Sequence, residues 1–206
     1  MAEQGGVDPG LGLEQLGREM WGVHHALARA PRRRAGTLDE RLELIESELA
    51  ARDVLCRYAY FYDGKDLDGL MTVFHPDAKL VNPRGTYVGI DAIRANYRFL
   101  MGLFRMVFHY APNVMVRVLD DGSAWLSSYL FSVGAVADER FNGNCSSYVA
   151  RLVRHEGEWR ILEMRITSNV PIDLQRRDDP MRGFGEPPEP TEETSSHDWI
   201  GPEYVI

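Results

Sequence analysis

Tyr58-Ala59-Tyr60-Phe61-Tyr62-Asp63-Gly64-Lys65-Asp66-Leu67-Asp68-Gly69-Leu70 reads as the end of one helix, a turn, and the start of another. Upstream, Leu42, Ile45, Leu49, Leu55, Tyr58, Ala59 and Tyr62 recur at helical spacing. They predict a long helix with a broad apolar face, capped at its start by Thr37 or Asp39 and stopped at Gly64. Asp66 is placed to cap the second helix, with a body from Leu67 to Phe74 and a stop at His75-Pro76. Asp63 stands at the negative end of the first helix dipole, where a carboxylate is unfavourable by roughly 0.3–1 kcal/mol. Either Asp63-Gly64 is simply a turn, or a partner elsewhere in the chain offsets that cost.

Downstream the period changes. Short strands around 78–82 and 86–88 flank an Arg84-Gly85 turn, and residues 91 to about 101 read as a third helix. Residues 106–119, 123–136, 145–155 and 158–169 then alternate with period 2, joined by turn signals at Asp120-Asp121-Gly122, Asn142-Gly143-Asn144 and Glu156-Gly157. Helices followed by a meander imply an α+β class: a cone-shaped, curved antiparallel sheet packed against three N-terminal helices and enclosing a pocket.

Within the first of these strands His109 follows Met106, Val107 and Phe108 and precedes Tyr110. A lone histidine in such a run is ordinarily a satisfied core residue, as Tyr58 is ordinarily a core aromatic. A buried imidazole nevertheless needs a partner to set its tautomer and stabilise its charged form, and a carboxylate does both. Asp63 is that candidate, and the pair is expected beneath the mouth of the largest pocket. Tyr58 precedes Asp63 by five residues, an offset of about 140° on an ideal helix, so both reach one cavity only where it wraps the helix end. Tyr97, Phe104, Trp125, Tyr129 and Tyr148 are candidates for the pocket walls, with some of them expected to be plain core.

The flanks differ in character. Residues 1–37 form an N-terminal extension in which Leu13, Leu16, Met20, Val23 and Leu27 mark a short amphipathic helix ahead of Pro31-Arg32-Arg33-Arg34. Residues 38–176 are the α+β domain. Residues 177–206 hold eight acids and two arginines, 2 − 8 = −6 of the net charge of −8, together with five prolines. That composition builds no core of its own. An acidic tail on a nearly neutral body argues against nucleic acid. The lack of a long apolar run and of an export-type start argues for a soluble cytoplasmic protein with no membrane partner. Cys56 and Cys145, without C-x-x-C spacing, read as two buried or semi-buried thiols, not a disulfide or metal site. Neither a dinucleotide or Walker motif nor metal-ligand spacing is present, so no cofactor and no metal is expected.

Ile45-Glu46, the run from Tyr58 to Leu70, Phe74-His75-Pro76-Asp77-Ala78, Gly89-Ile90-Asp91-Ala92-Ile93, Phe108-His109-Tyr110 and Gly157-Glu158-Trp159-Arg160-Ile161, in that order, resemble SnoaL-like proteins of the nuclear transport factor 2-like superfamily. Within it the chain is similar to the branch of scytalone dehydratase, bile acid 7-alpha-dehydratase and hexachlorocyclohexane dehydrochlorinase. That resemblance implies a catalytic Asp63–His109 pair with Tyr58 in the site, and a basic residue of the last strand that in this register is Arg165; with the wall candidates Trp125, Tyr129 and Tyr148 it makes up the expected substrate contacts. No second histidine stands between Ser123 and Val136, where scytalone dehydratase has one. The resemblance further implies a cofactor-independent dehydratase or isomerase acting on a bulky hydrophobic hydroxy or keto substrate such as a polyketide, steroid or terpenoid. It implies a homo-oligomer too, a trimer in preference to a dimer. The alternatives are a non-catalytic small subunit of a ring-hydroxylating dioxygenase, which shares the fold, and a ligand-binding module. Limited proteolysis is expected to remove residues 1–10 and 178–195 and leave the domain folded; resistance there would identify them as packed arms.

Overall fold

The computed structural model describes residues 22, 24–31, 33, 35–136 and 141–174. They belong to a compact unit running from Met1 to Gln175. The expected tail at 177–206, and Leu13, Leu16, Met20 and Val23 of the N-terminal helix, lie outside the described residues. Residues 24–29 are helical, and Leu27 among them is buried.

Helix α1 (Leu38–Asp63) opens with a capping box: the Glu40 backbone N–H donates to Thr37 Oγ1, and the Glu40 carboxylate accepts from the backbone N–H of Thr37. Such a cap stabilises by about 1 kcal/mol. The helix stops at Gly64, and α2 (Leu67–Thr72) begins at once, with the Asp66 carboxylate accepting from the Gly69 N–H. A Cβ on Gly69 would stand 2.6 Å from the Phe61 ring, so α2 folds back tightly on the end of α1. The buried face of α1 differs from the expected one in its first half. Ala51, Val54, Leu55, Tyr58 and Tyr62 face the core, with Ser47 and Leu44 on the same side one and two turns earlier, whereas Leu42, Ile45 and Leu49, expected on that face, are at least half exposed because at about 100° per residue they fall on the opposite side of α1. Cys56 is exposed and Cys145 half-buried, both as free thiols.

Strands β1 (Phe74–Asn82) and β2 (Gly85–Val88) form a hairpin, followed by α3 (Ile90–Leu103). Then come β3 (Phe104–Tyr110), β4 (Met115–Val118), β5 (Ala124–Val136), β6 (Phe141–His155) and β7 (Glu158–Leu174). The sheet order is β2-β1-β7-β6-β5-β3, with β4 also paired to β5. The result is the expected α+β arrangement of helices on a curved, open sheet, and register shifts in the β3–β5, β6–β7 and β1–β7 ladders add to its bend.

Four details depart from the period-based reading. The second helix ends at Thr72, not Phe74, and His75-Pro76 lies inside β1. The sheet is mixed, not wholly antiparallel, because β1 returns from the helical hairpin to pair parallel with β7. The expected strand 106–119 is two strands, since the segment around Pro112 cannot supply the N–H a continuous ladder needs. Asn142-Gly143-Asn144 is not a turn but lies inside β6, paired to β5 on one side and β7 on the other; ladder pairing on both edges overrides its local preference. No helix among the described residues is long and apolar enough to cross a membrane.

Candidate active site

Asp63 and His109 meet where the end of α1 crosses β3. The His109 backbone N–H donates to Asp63 Oδ2 at 2.9 Å, and the imidazole Nδ1 bonds Asp63 Oδ1 at 2.5 Å. The side chains are 18% and 8% exposed, so the contact is largely withdrawn from water. With a carboxylate as acceptor, Nδ1 must carry the hydrogen, which leaves Nε2 of the neutral ring as an acceptor. These two bonds supply the partner that offsets the helix-dipole cost at Asp63. Lys65 Nζ donates to the Phe104 carbonyl at 2.5 Å, joining the turn after α1 to the start of β3 on the same side.

His109 lines a cavity of about 260 Å³ on the concave side of the sheet. Tyr58 and Tyr62, one helical turn apart on α1, form one wall with Tyr97 and Leu100 of α3 and with Phe104. The Tyr58 and Tyr97 hydroxyls lie 3.1 Å apart, and the Tyr62 ring lies 4.7 Å from the His109 ring, nearly edge-on. Tyr148, from β6, meets Tyr58 edge-on at 5.8 Å. Asp63 does not line the cavity; it stands behind His109, which resolves the angular offset between it and Tyr58.

The other expected contacts separate by strand parity. Tyr148 faces inward, with Ser146 and Asn144 two and four residues before it. Trp125 and Tyr129 sit at the alternate positions of β5, and Arg165 at the alternate position of β7, so all three point to the outer side and do not reach this cavity. Tyr129 is 43% exposed, with its ring 5.6 Å from that of His24. Trp125 and Arg165 line an outer cleft with Lys79. That cleft, of about 400 Å³, and another of about 370 Å³ beside Tyr129 are larger than the cavity at His109. The pair is therefore not beneath the largest hollow: the side chains of Tyr58, Tyr62, Tyr97 and Tyr148 take up space on the concave side.

Sequence reasoning missed the polar side of the cavity. Ser168 Oγ donates to Asn144 Oδ1 at 2.8 Å, and Asn144 Nδ2 donates to Ser146 Oγ at 2.6 Å. Two hydroxyls and one amide carry four hydrogens; the two bonds use two, and 4 − 2 = 2 remain for a ligand. Reversing the amide leaves the same surplus. Asn144 was hidden by its turn-like neighbours, and only the alternation 144, 146, 148 on one face could have revealed it.

Burial pushes the hydroxyls of Tyr58, Tyr97 and Tyr148 well above the usual phenol range, and burial followed by the neighbouring Asp63 charge raises Tyr62. They remain neutral donors at ordinary pH. Tyr58 and Tyr97 hold two hydroxyl hydrogens and use one between them, so one stays available for a ligand oxygen or the nearby Tyr148.

The SnoaL-like domain family matches residues 43–165, more than half of the chain. Several solved structures share the fold. A candidate aromatic ring hydroxylase from Novosphingobium aromaticivorans is 23% identical with a TM-score of 0.60, covering 63% of this chain and 94% of its own. A type 2 hexachlorocyclohexane dehydrochlorinase, LinA, is 16% identical with a TM-score of 0.62, covering 72% and 99%. A candidate scytalone dehydratase from Novosphingobium aromaticivorans DSM 12444 is 20% identical with a TM-score of 0.59, covering 66% and 91%. No curated protein matches the chain.

The four buried tyrosines set an alkaline limit. Each binds its proton more tightly in the folded state than in the unfolded chain, where the ordinary value is 10.0. The stability they contribute is intact below that pH and falls as pH rises above it. Ultraviolet titration should show four of the nine tyrosines silent until the chain unfolds, with unfolding and their ionisation coincident. Ionisation of all the tyrosines near pH 10 in a still-folded protein would show that the cluster is open to water.

Proposed function

The chain belongs to the SnoaL-like domain family, and on that premise we propose that it is a cofactor-independent dehydratase or isomerase using general acid/base catalysis on a largely hydrophobic hydroxy or keto substrate. The observation that carries the proposal is the Asp63–His109 bond at the cavity wall. His109 Nε2 takes a proton from a carbon made acidic by a neighbouring carbonyl, and Asp63 stabilises the imidazolium that forms. Tyr58, with its neighbours, and the surplus donors on Asn144 and Ser146 stabilise the developing oxyanion. Delivery of the same proton to a departing hydroxide releases water and an alkene; delivery to another carbon gives the isomer. In both routes His109 returns neutral, so the proton balance closes without a cofactor.

A cavity of about 260 Å³ lies just below the range for ligand sites, roughly 300 to 1,000 Å³. That favours a polyketide or terpenoid body of one or two rings over a four-ring steroid held wholly inside. The reading as a non-catalytic dioxygenase subunit uses the Asp63–His109 bond only to hold α1 against β3 and gives the remaining ring nitrogen of His109, at the cavity wall, no task. We place the protein in the cytoplasm on the same reading, as expected for metabolic chemistry of this type.

Three variants test the mechanism. Asp63→Asn leaves one acceptor oxygen for two His109 donors, and turnover of a hydroxy-ketone substrate should fall by roughly 10²-fold or more, with stability lowered by no more than about 1–3 kcal/mol. His109→Gln should lose as much activity. Tyr58→Phe should cost about one to two powers of ten, because other donors remain. Full activity in Asp63→Asn would remove that residue from the mechanism.

The same reading includes a homo-oligomer. Met106, Phe108 and Tyr110 of β3 and Phe131 of β5 lie 40–70% exposed, and their pairing places them together on the outer face of the sheet edge. Burial of such a patch by another copy follows from the apolar area at stake. Light scattering at micromolar concentration should give a dimer or trimer, a trimer being expected; a monomer would refute it.

A further inference from the structure

At the rim of the His109 cavity the β1–β2 turn carries an arginine that the mechanism does not use. Asn82 and Gly85 are ladder partners, so Pro83 and Arg84 alone form the loop, and Asn82 Oδ1 accepts from the Arg84 backbone N–H at 2.9 Å. Asn82, Pro83 and Arg84 all line the cavity. The Arg84 guanidinium lies over the Phe99 ring, 4.4 Å from its centroid. Stacking of this kind holds the guanidinium plane while leaving its edge N–H groups unspent.

Arg57, Arg94, Arg151 and Arg160 each have a carboxylate within ion-pair distance. Among the described residues the Arg84 guanidinium has neither an ion pair nor a hydrogen bond; its one bond is through the backbone. Among the described residues it is thus positioned by an aromatic ring but not neutralised. The described lining contains no carboxylate, because Asp63 is behind His109 and bonded to it. A negative ligand group at Arg84 would meet attraction there and no opposing charge from the described lining.

The sheet order sets the direction. From β3 with His109, the lining passes through β5 (Ser132), β6 (Asn144 and Ser146) and β7 (Ser168) to the β1 hairpin with Arg84. That is four strand steps of about 4.8 Å each along a curved wall. The base and the guanidinium therefore enter from opposite sides, with the neutral donors of Asn144 and Ser146 between them.

We propose that Arg84 is the specificity-determining anchor for an anionic group, such as a carboxylate, at the end of the substrate remote from His109. The substrate class becomes an apolar-bodied acid whose reacting carbon lies under the imidazole. The catalytic half of this inference rests on the acid/base reading; the binding half does not. Holding the remote group orients the reacting end, and the separation keeps the substrate's own charge from competing with Asp63 for the imidazolium.

Binding of two fluorescent probes to the full chain tests it: anilinonaphthalene sulfonate and its neutral counterpart, N-phenylnaphthylamine. Arg84→Gln should weaken the sulfonate by roughly tenfold and leave the neutral probe unchanged. Arg84→Lys should retain most of the affinity through its charge, though without the fork of N–H groups. The wild-type preference should shrink as ionic strength rises. Arg84 is exposed on a two-residue turn, so equal melting temperatures are expected for all three proteins. Absence of sulfonate binding to the wild type, or equal sulfonate affinity in Arg84→Gln, overturns the proposal. Asp63→Asn separates this result from the mechanism: loss of turnover with unchanged sulfonate affinity supports both. A sulfonate preference that depends on Arg84 in a protein without turnover keeps the anchor and discards the acid/base reading.

Discussion

One carboxylate accepts two hydrogen bonds from a single residue: Asp63 takes the backbone N–H and the ring Nδ1–H of His109. The first bond fixes where the end of α1 lies against β3, and the second fixes the plane and tautomer of the imidazole. A contact made through the side chain alone would leave the helix free to slide along the strand. A contact made through the backbone alone would leave the ring free to rotate. Because both fall on the same carboxylate, the helix that closes the cone and the nitrogen that faces the cavity are set together. Lys65 reinforces the junction by bonding the first carbonyl of β3 from the turn that follows α1.

From that junction the cavity divides into two chemically different sides. The helical side is aromatic, with hydroxyls on Tyr58, Tyr97 and Tyr62 kept neutral by burial. The sheet side carries the smaller polar groups, Ser132, Asn144, Ser146 and Ser168 on adjacent strands, interleaved with Val107, Leu130, Tyr148 and Ile166. A low-polarity wall strengthens each directed hydrogen bond that a substrate oxygen makes to the other wall. The solved structures that share this fold carry names drawn from different chemistries at 16–23% identity. A common frame with differing cavity linings is the expected relation at that distance, since function resides in the site and not in the fold.

The long helix, its caps and the tight return of α2 were legible in the chain because they depend on neighbours within four residues. Thr37 and Glu40 satisfy each other across one turn, and Asp66 bonds Gly69 across three residues. The candidate pair was legible for a different reason: a carboxylate at the wrong end of a helix and a histidine in an apolar strand each pose a problem that the other solves. The parallel pairing of β1 with β7 was not, since period 2 specifies a strand and one buried face but not which strand will lie beside it.

The wall residues show the same division most sharply. Trp125, Tyr129 and Tyr148 are all aromatic residues in long strands, and composition cannot rank them. Only registry places Tyr148 on the concave side and the other two on the convex side. Asn144 was concealed further, because Asn-Gly-Asn favours a turn locally while the pairing of β6 with both neighbours extends it. The sequence by itself determined the long helix with its caps and the α+β class, set by short-range hydrogen bonding and burial periodicity, and the two residues that need each other, marked by the unmet need of each. The tertiary structure alone decided which strand faces enclose the cavity, because a one-residue change of register turns every side chain of a strand to the opposite side at no local cost.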